Sequence, residues 1–174
     1  VGQAQGLDII LEAAFLLKDD CPKLNFVILG QGLQLNDLRA QAKDMCLKNV
    51  HFIPPVQINE VGNFLNSADA LLVHLNADPL FEITIPGKTQ AYMAVGKPLL
   101  MGVSGDAANL VSKANCGICV EPQNSASLAE AAKRLMLLTT ADLKSLGENS
   151  RSFYDEHLSV KIGVDSFSRV FIKV

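Results

Sequence analysis

Ala70-Leu71-Leu72-Val73-His74-Leu75 decides the fold. The run is apolar almost throughout, with none of the polar–apolar alternation of a half-exposed strand. A strand covered on both faces reads this way, as in a parallel sheet between two layers of helices. Working outward, the same rhythm recurs. Upstream, Phe26-Val27-Ile28-Leu29 stops at Gly30-Gln31-Gly32, and Val50-His51-Phe52-Ile53 stops at Pro54-Pro55. Downstream, residues 99–103 and 117–120 repeat the pattern. Helical spacing fills the gaps. Leu7, Ile10, Leu11, Ala14 and Leu17 share one face that Pro22 ends, and Leu35, Leu38 and Ala42 open a second. Helices follow over 61–66, 89–95, 107–114 and 128–138. The one over 89–95 ends at Gly96-Lys97-Pro98, where glycine supplies the terminating turn. Two more, over 141–157 and 160–173, close the chain. Repeated strand–helix units predict an α/β domain of three layers with a mostly parallel sheet. Ligands of such sheets meet the loops beyond the carboxyl ends of the strands.

Composition narrows the function. The 174 residues are 49% apolar and 19% charged, enough for a packed core. A formal charge of −3 spread without runs argues against an electrostatic nucleic-acid binder. No apolar run reaches the roughly 18 residues that cross a bilayer, and no charged-then-apolar leader opens the chain. Four cysteines suit a reducing compartment rather than a disulfide scaffold. The expected location is therefore cytoplasmic. No strand precedes the helix at Leu7, so the domain is expected to lack its first strand and to be cut from a longer parent.

Several motifs fail residue by residue. Gly87-Lys88-Thr89 matches the tail of a phosphate-binding P-loop, but the required upstream glycine is Glu82. Gly30-Gln31-Gly32 opens a dinucleotide fingerprint whose third glycine is Leu35, which leaves a tight turn after a strand. Cys116-Gly117-Ile118-Cys119 has the spacing of half a zinc site or a redox pair. Cys21 and Cys46 do not supply a second pair, so small core residues are the expectation and no metal is. His51 and His74 fall within strands, where a shielded structural role is expected.

One constellation survives: Phe81-Glu82-Ile83-Thr84-Ile85-Pro86-Gly87-Lys88-Thr89-Gln90-Ala91-Tyr92-Met93-Ala94-Val95-Gly96-Lys97-Pro98. A long loop follows a buried strand, then proline and glycine introduce a helix. The first amides of that helix, at Gly87, Lys88 and Thr89, have no intrahelical acceptor. With the positive helix end they suit an anion such as a diphosphate. Lys88 and the Thr89 hydroxyl add a charge and a donor, and Glu82 can accept hydrogen bonds from sugar hydroxyls. A plain loop with an ordinary helix cap fits the same residues.

This segment resembles the donor-binding half of the family 4 retaining glycosyltransferases, enzymes of the GT-B fold. The resemblance runs through almost the whole chain. FVILGQGLQLNDLR at 26–39 is similar to the family's strand, Gly-x-Gly turn and helix; NVHFIPPVQINEVGNFLNSAD at 49–69 is similar to its base-binding region. AYMAVGKPLL at 91–100 resembles its E-A-M-A-x-G-K-P-V signature, and 102–122 resembles the stretch ending C-G-x-x-V-E-P. The I-P-G-K-T entry is similar to that of enzymes building bacterial O-antigen and capsular polysaccharides.

The resemblance implies a Rossmann-like domain over 1–174, one half of a GT-B enzyme, whose helix over 159–174 reaches the N-terminal acceptor half of the parent. It implies a nucleoside-diphosphate sugar as donor, with UDP preferred, transferred to a glycan or lipid-linked acceptor in polysaccharide synthesis. No cofactor and no metal are implied, and the parent is expected to lie at the inner face of the plasma membrane as a peripheral protein. Pro55, Val56 and Gln57 would meet the base; Pro86, Gly87, Lys88, Thr89 and Gln90 would line the phosphates and ribose. Glu82 would orient the sugar, with Lys88 compensating the leaving diphosphate. Many members carry two glutamates eight apart here. Glu82 and Gln90 have that spacing, whereas alignment on Gly96-Lys97-Pro98 puts Ile83 and Ala91 at the two positions. Either Gln90 or Ala91 then stands at the ribose. A non-catalytic nucleotide-binding module and a UDP-sugar epimerase of the same fold are the alternatives. The fragment alone is expected to transfer no sugar.

Overall fold

The computed structural model describes residues 2–172; Val1 and the end of the last predicted helix at Lys173, with Val174, lie outside them. A short 3-10 turn, Gln3–Gln5, leads into α1 (Asp8–Leu17), followed by β1 (Phe26–Leu29), α2 (Leu35–Asp44), β2 (Val50–Ile53), α3 (Ile58–Ser67) and β3 (Leu71–His74). Then come α4 (Pro79–Glu82), α5 (Gly87–Val95), β4 (Leu99–Gly102), α6 (Asp106–Ala114), β5 (Gly117–Cys119), α7 (Ser125–Leu137), α8 (Thr140–Phe153) and α9 (Val160–Ile172). Every described strand pair is parallel, in the orders β1-β2 and β3-β4-β5.

Successive side chains of a strand point to opposite faces, and β4 shows what each face meets. Leu100 joins Phe26, Ile28 and Val50 in a core beneath α1, α2 and α7, with Leu11, Ala14, Leu128 and Leu135 at its centre. Leu99 and Met101 point the other way, into a second core with Val73, Met93 of α5 and Val111 of α6. All four residues of β4 are buried, as expected of a central strand with helices on both faces.

The expected mostly parallel sheet is present as two hydrogen-bonded groups, and β1 and β3 do not pair among the described residues. Both groups nevertheless pack on one helical layer, with Leu72 of β3 against the core that holds Phe26 and Ile28. The loop expected after β3 contains α4, started by Asp78, whose carboxylate accepts from the Leu80 amide at 2.8 Å, and by Pro79 in the first turn. The helix expected over 141–157 is α only to Phe153 and ends in a π-helical turn, Tyr154–Leu158. No described helix is long and apolar enough to cross a membrane.

Candidate functional site

Parallel strands bring the loops after β2, β3, β4 and β5 to one end of the domain. α5 starts there. Pro86 caps it in extended geometry, and the Thr89 amide already donates to the Pro86 carbonyl at 2.8 Å. Among the described residues the Gly87 and Lys88 amides find no acceptor, which leaves two N–H groups at the positive end of a nine-residue helix. Nothing lies within 4 Å of where a Cβ on Gly87 would stand. Lys88 is exposed as a residue, yet desolvation by the surrounding protein lowers its pKa below the ordinary 10.5.

Thr89 departs from expectation. Its side chain is fully buried and its hydroxyl has no partner. Thr89 and Met93 stand one turn apart, and both point into the core beneath α5, so the hydroxyl is not available to a ligand on the surface. The accessible donors at this helix end are therefore those of Gly87 and Lys88. Gln90 and Ala91 are both exposed on the first turns of α5.

Glu82 is exposed at the end of α4. Its position is set by Gly105 in the loop after β4: at φ +74 a Cβ there would collide with the Glu82 carbonyl, so only glycine lets the two backbones meet. Pro55 and Gln57 are exposed and Val56 is half-buried in the loop entering α3, where the Gln57 amide donates to the Glu60 carboxylate at 3.1 Å. α3 packs on α5, so the loop before α3 and the start of α5 are the starts of two neighbouring helices.

The histidines divide. His74 is buried, whereas His51 is exposed, with Nε2 at 2.8 Å from Asn25 Oδ1; among the described residues its strand, β2, pairs only with β1, so the expected shielding is missing. Cys21 and Cys116 are core residues, but Cys46 is exposed at the end of α2. Burial pushes the Cys116 thiol up to about 11, which keeps it protonated at neutral pH. Among the described residues no group of three metal-ligating side chains converges. An open groove lined by Lys18, Asn25, Cys46 and Lys48 lies at the amino end of β1 and β2, opposite the start of α5.

The helix start of α5 thus stands at the carboxyl end of an open α/β sheet, the end at which such sheets meet their ligands. Residues 1–137 match the family of group 1 glycosyl transferases, and the chain belongs to that family. It is 27% identical over 143 residues to the putative colanic acid biosynthesis glycosyl transferase WcaI of Escherichia coli, covering 79% of this chain and 34% of WcaI. The fold is similar to HepE of Anabaena in complex with UDP (TM-score 0.85, 16% identity, 99% of this chain and 46% of HepE). WaaG, a glycosyltransferase of lipopolysaccharide biosynthesis, is also similar (TM-score 0.75, 20% identity, 94% of this chain and 42% of WaaG). The fold is therefore the Rossmann-like one of GT-B glycosyltransferases. The chain spans about a third of WcaI and under half of the two solved relatives.

Proposed function

We propose that this domain binds the donor, a UDP-sugar, in a glycosyltransferase that builds a surface polysaccharide. The observation that carries the reading is the pair of amides at Gly87 and Lys88 that find no acceptor among the described residues, on a helix start with open space over Gly87. Such a pair suits a diphosphate, whose developing charge it would stabilise as the glycosidic bond breaks. HepE was crystallised with UDP and with UDP-glucose, and supports UDP as the carrier. In this reading Pro55, Val56 and Gln57 meet the base, Pro86 and Gln90 flank the phosphates and ribose, and Glu82 orients the sugar. No cofactor or metal enters it.

The parent enzyme carries the acceptor on a second, N-terminal half. α9 supports that arrangement: Val160, Val164 and Phe167 leave an apolar stripe exposed along one face, suited to packing on another domain. The unpaired edges of β1 and β3 fit one further parallel strand in the complete sheet. The enzyme works at the cytoplasmic face of the membrane, on a glycan or lipid-linked acceptor, and transfers a hexose or an N-acetylamino sugar. The isolated domain binds donor and transfers nothing.

Calorimetric titration with UDP, GDP and uridine tests this. UDP is expected to bind, uridine to bind far more weakly, and Gly87→Val to abolish the difference. A Cβ at Gly87 meets nothing within 4 Å, so the valine would stand where a phosphate would come, away from the core. Equal affinity for UDP and uridine would refute the phosphate assignment.

A further inference from the structure

We propose that His74, held as the neutral Nδ1–H tautomer, is a positioning residue that ties the N-terminal turn to the turn after β5 across the carboxyl end of the sheet. Its two ring nitrogens make unlike contacts. Nδ1 lies 2.7 Å from the Gln5 carbonyl oxygen, which only accepts, so Nδ1 carries the proton. Nε2 receives the Gln123 backbone N–H at 3.2 Å, and a backbone amide only donates, so Nε2 is bare. Both contacts hold together in one tautomer alone.

The ring has little freedom to adopt another arrangement. His74 is 5% exposed, a Cβ on Gly102 would run into the imidazole, and one on Gly6 would run into Asn76 Oδ1 and press on the ring. The neighbouring backbone finishes the tether. Asn76 donates its amide to the Ala4 carbonyl at 2.8 Å and its side-chain nitrogen to the Gln3 carbonyl at 3.0 Å. All three carbonyls of the Gln3–Gln5 turn are thus held from the end of β3. On the other side, Gln123 sits at φ +57, a left-handed conformation unusual for a side chain-bearing residue. It is fixed there at both ends, its amide on His74 and its Oε1 accepting from the Ala77 amide at 3.0 Å. The His74 side chain touches both turns through hydrogen bonds. The donor-site reading enters only in the consequence: if the carboxyl end binds UDP, loosening either turn weakens it.

The test uses ring nitrogen NMR of the unmodified chain, then two variants that each keep one contact. Asparagine places an amide N–H near the Nδ1 position, and glutamine can place a carbonyl oxygen near Nε2. The expected spectrum of His74 is the Nδ1–H tautomer. In His74→Asn the Gln123 amide should exchange about tenfold faster while the Asn76 amide stays protected, the change expected for one lost hydrogen bond. His74→Gln should reverse the pattern. Gly102→Ala, which leaves every hydrogen-bonding atom in place but crowds the ring, should release both. UDP affinity should fall in all three variants. An Nε2–H tautomer, equal release of both amides in the two His74 variants, or wild-type UDP affinity in them would overturn the proposal. Should the unmodified chain bind no UDP, the donor reading fails, while the tautomer and the exchange pattern still decide the tether.

Discussion

The two ends of α5 are built to opposite specifications. At its carboxyl end Gly96 turns left-handed at φ +77, and α8 comes so close that a Cβ on Gly147 would collide with the Gly96 carbonyl. Arg151 of α8 donates to the Ala94 carbonyl at 2.7 Å, placing a cation on the negative helix end, and is itself held by Asp155 at 2.8 Å. At the amino end there is open space over Gly87 and, among the described residues, two amides without acceptors. Polar groups are left unpaired where a partner is to come, and spent on packing where none is. A helix clamped at one end delivers the other end to a fixed place, which is what a preformed binding site requires.

The clamp is where the largest effect is expected. Gly147→Val forces a branched side chain against the Gly96 backbone, and overpacking of this kind costs about 1–3 kcal/mol. Thermal unfolding should move to lower temperature, and UDP affinity should fall with it because α5 is displaced. An unchanged midpoint would show that the two helices part without cost, and the contrast between the ends would collapse.

The open end should behave in reverse. Lys88→Ala removes a charge-assisted contact worth about 1.5–3 kcal/mol, so UDP binding should weaken roughly ten- to a hundredfold. Uridine affinity should stay where it is, and the thermal midpoint should not fall, since the desolvated ammonium is itself a cost to the folded state. Loss of stability in Lys88→Ala, with UDP affinity unchanged, would mean that this end is structural too.

That contrast was only half legible in the sequence. Pro86-Gly87 ahead of a helical pattern marked the free amides, and Gly96-Lys97-Pro98 marked the turn that ends the helix, because both are local backbone chemistry. The strands themselves were legible for the same reason: Phe26 to Leu29 and Val50 to Ile53 are short β-rich runs ended by glycine or proline. What closes on α5 from outside was not. Gly147 and Arg151 lie about fifty residues away in the chain, and nothing in their own neighbourhood points to Gly96 or Ala94. The same holds for His74, whose strand was read correctly but whose two partners stand at Gln5 and Gln123. The inward turn of Thr89 could have been inferred from its spacing to Met93, one helical turn on the same face. The exposure of His51 could not, since it depends on β2 pairing only with β1 among the described residues.

A smaller effect is expected from the salt link inside the clamp. Arg151→Gln should lower the thermal midpoint modestly by uncapping the end of α5, and Asp155→Asn should do less. Asp155 acts by orienting the guanidinium, and its hydrogen bond and charge raise the Arg151 pKa. In the double variant Asp155→Asn should therefore add nothing. Additive losses would assign Asp155 a role of its own.

The smallest effect separates the ends by pH. Desolvation lowers the Lys88 pKa from 10.5, so the folded protein gives up this proton earlier than the unfolded chain does. Between the two values the unfolded state binds more protons, so stability attributable to Lys88 rises as pH climbs through that window: a cost is present below the folded pKa and relieved above it. Ligand binding runs the other way. A diphosphate beside the ammonium favours its charged form, and the last ionisation of a terminal phosphate, near about pH 6, is already complete. UDP affinity should therefore decline on raising the pH toward 10, starting below the ordinary lysine range, while thermal stability does not decline through Lys88. In Lys88→Met both trends should flatten. A UDP affinity that holds constant through this range in the unmodified protein would remove the ammonium from the phosphate site and leave the two amides to hold the anion alone.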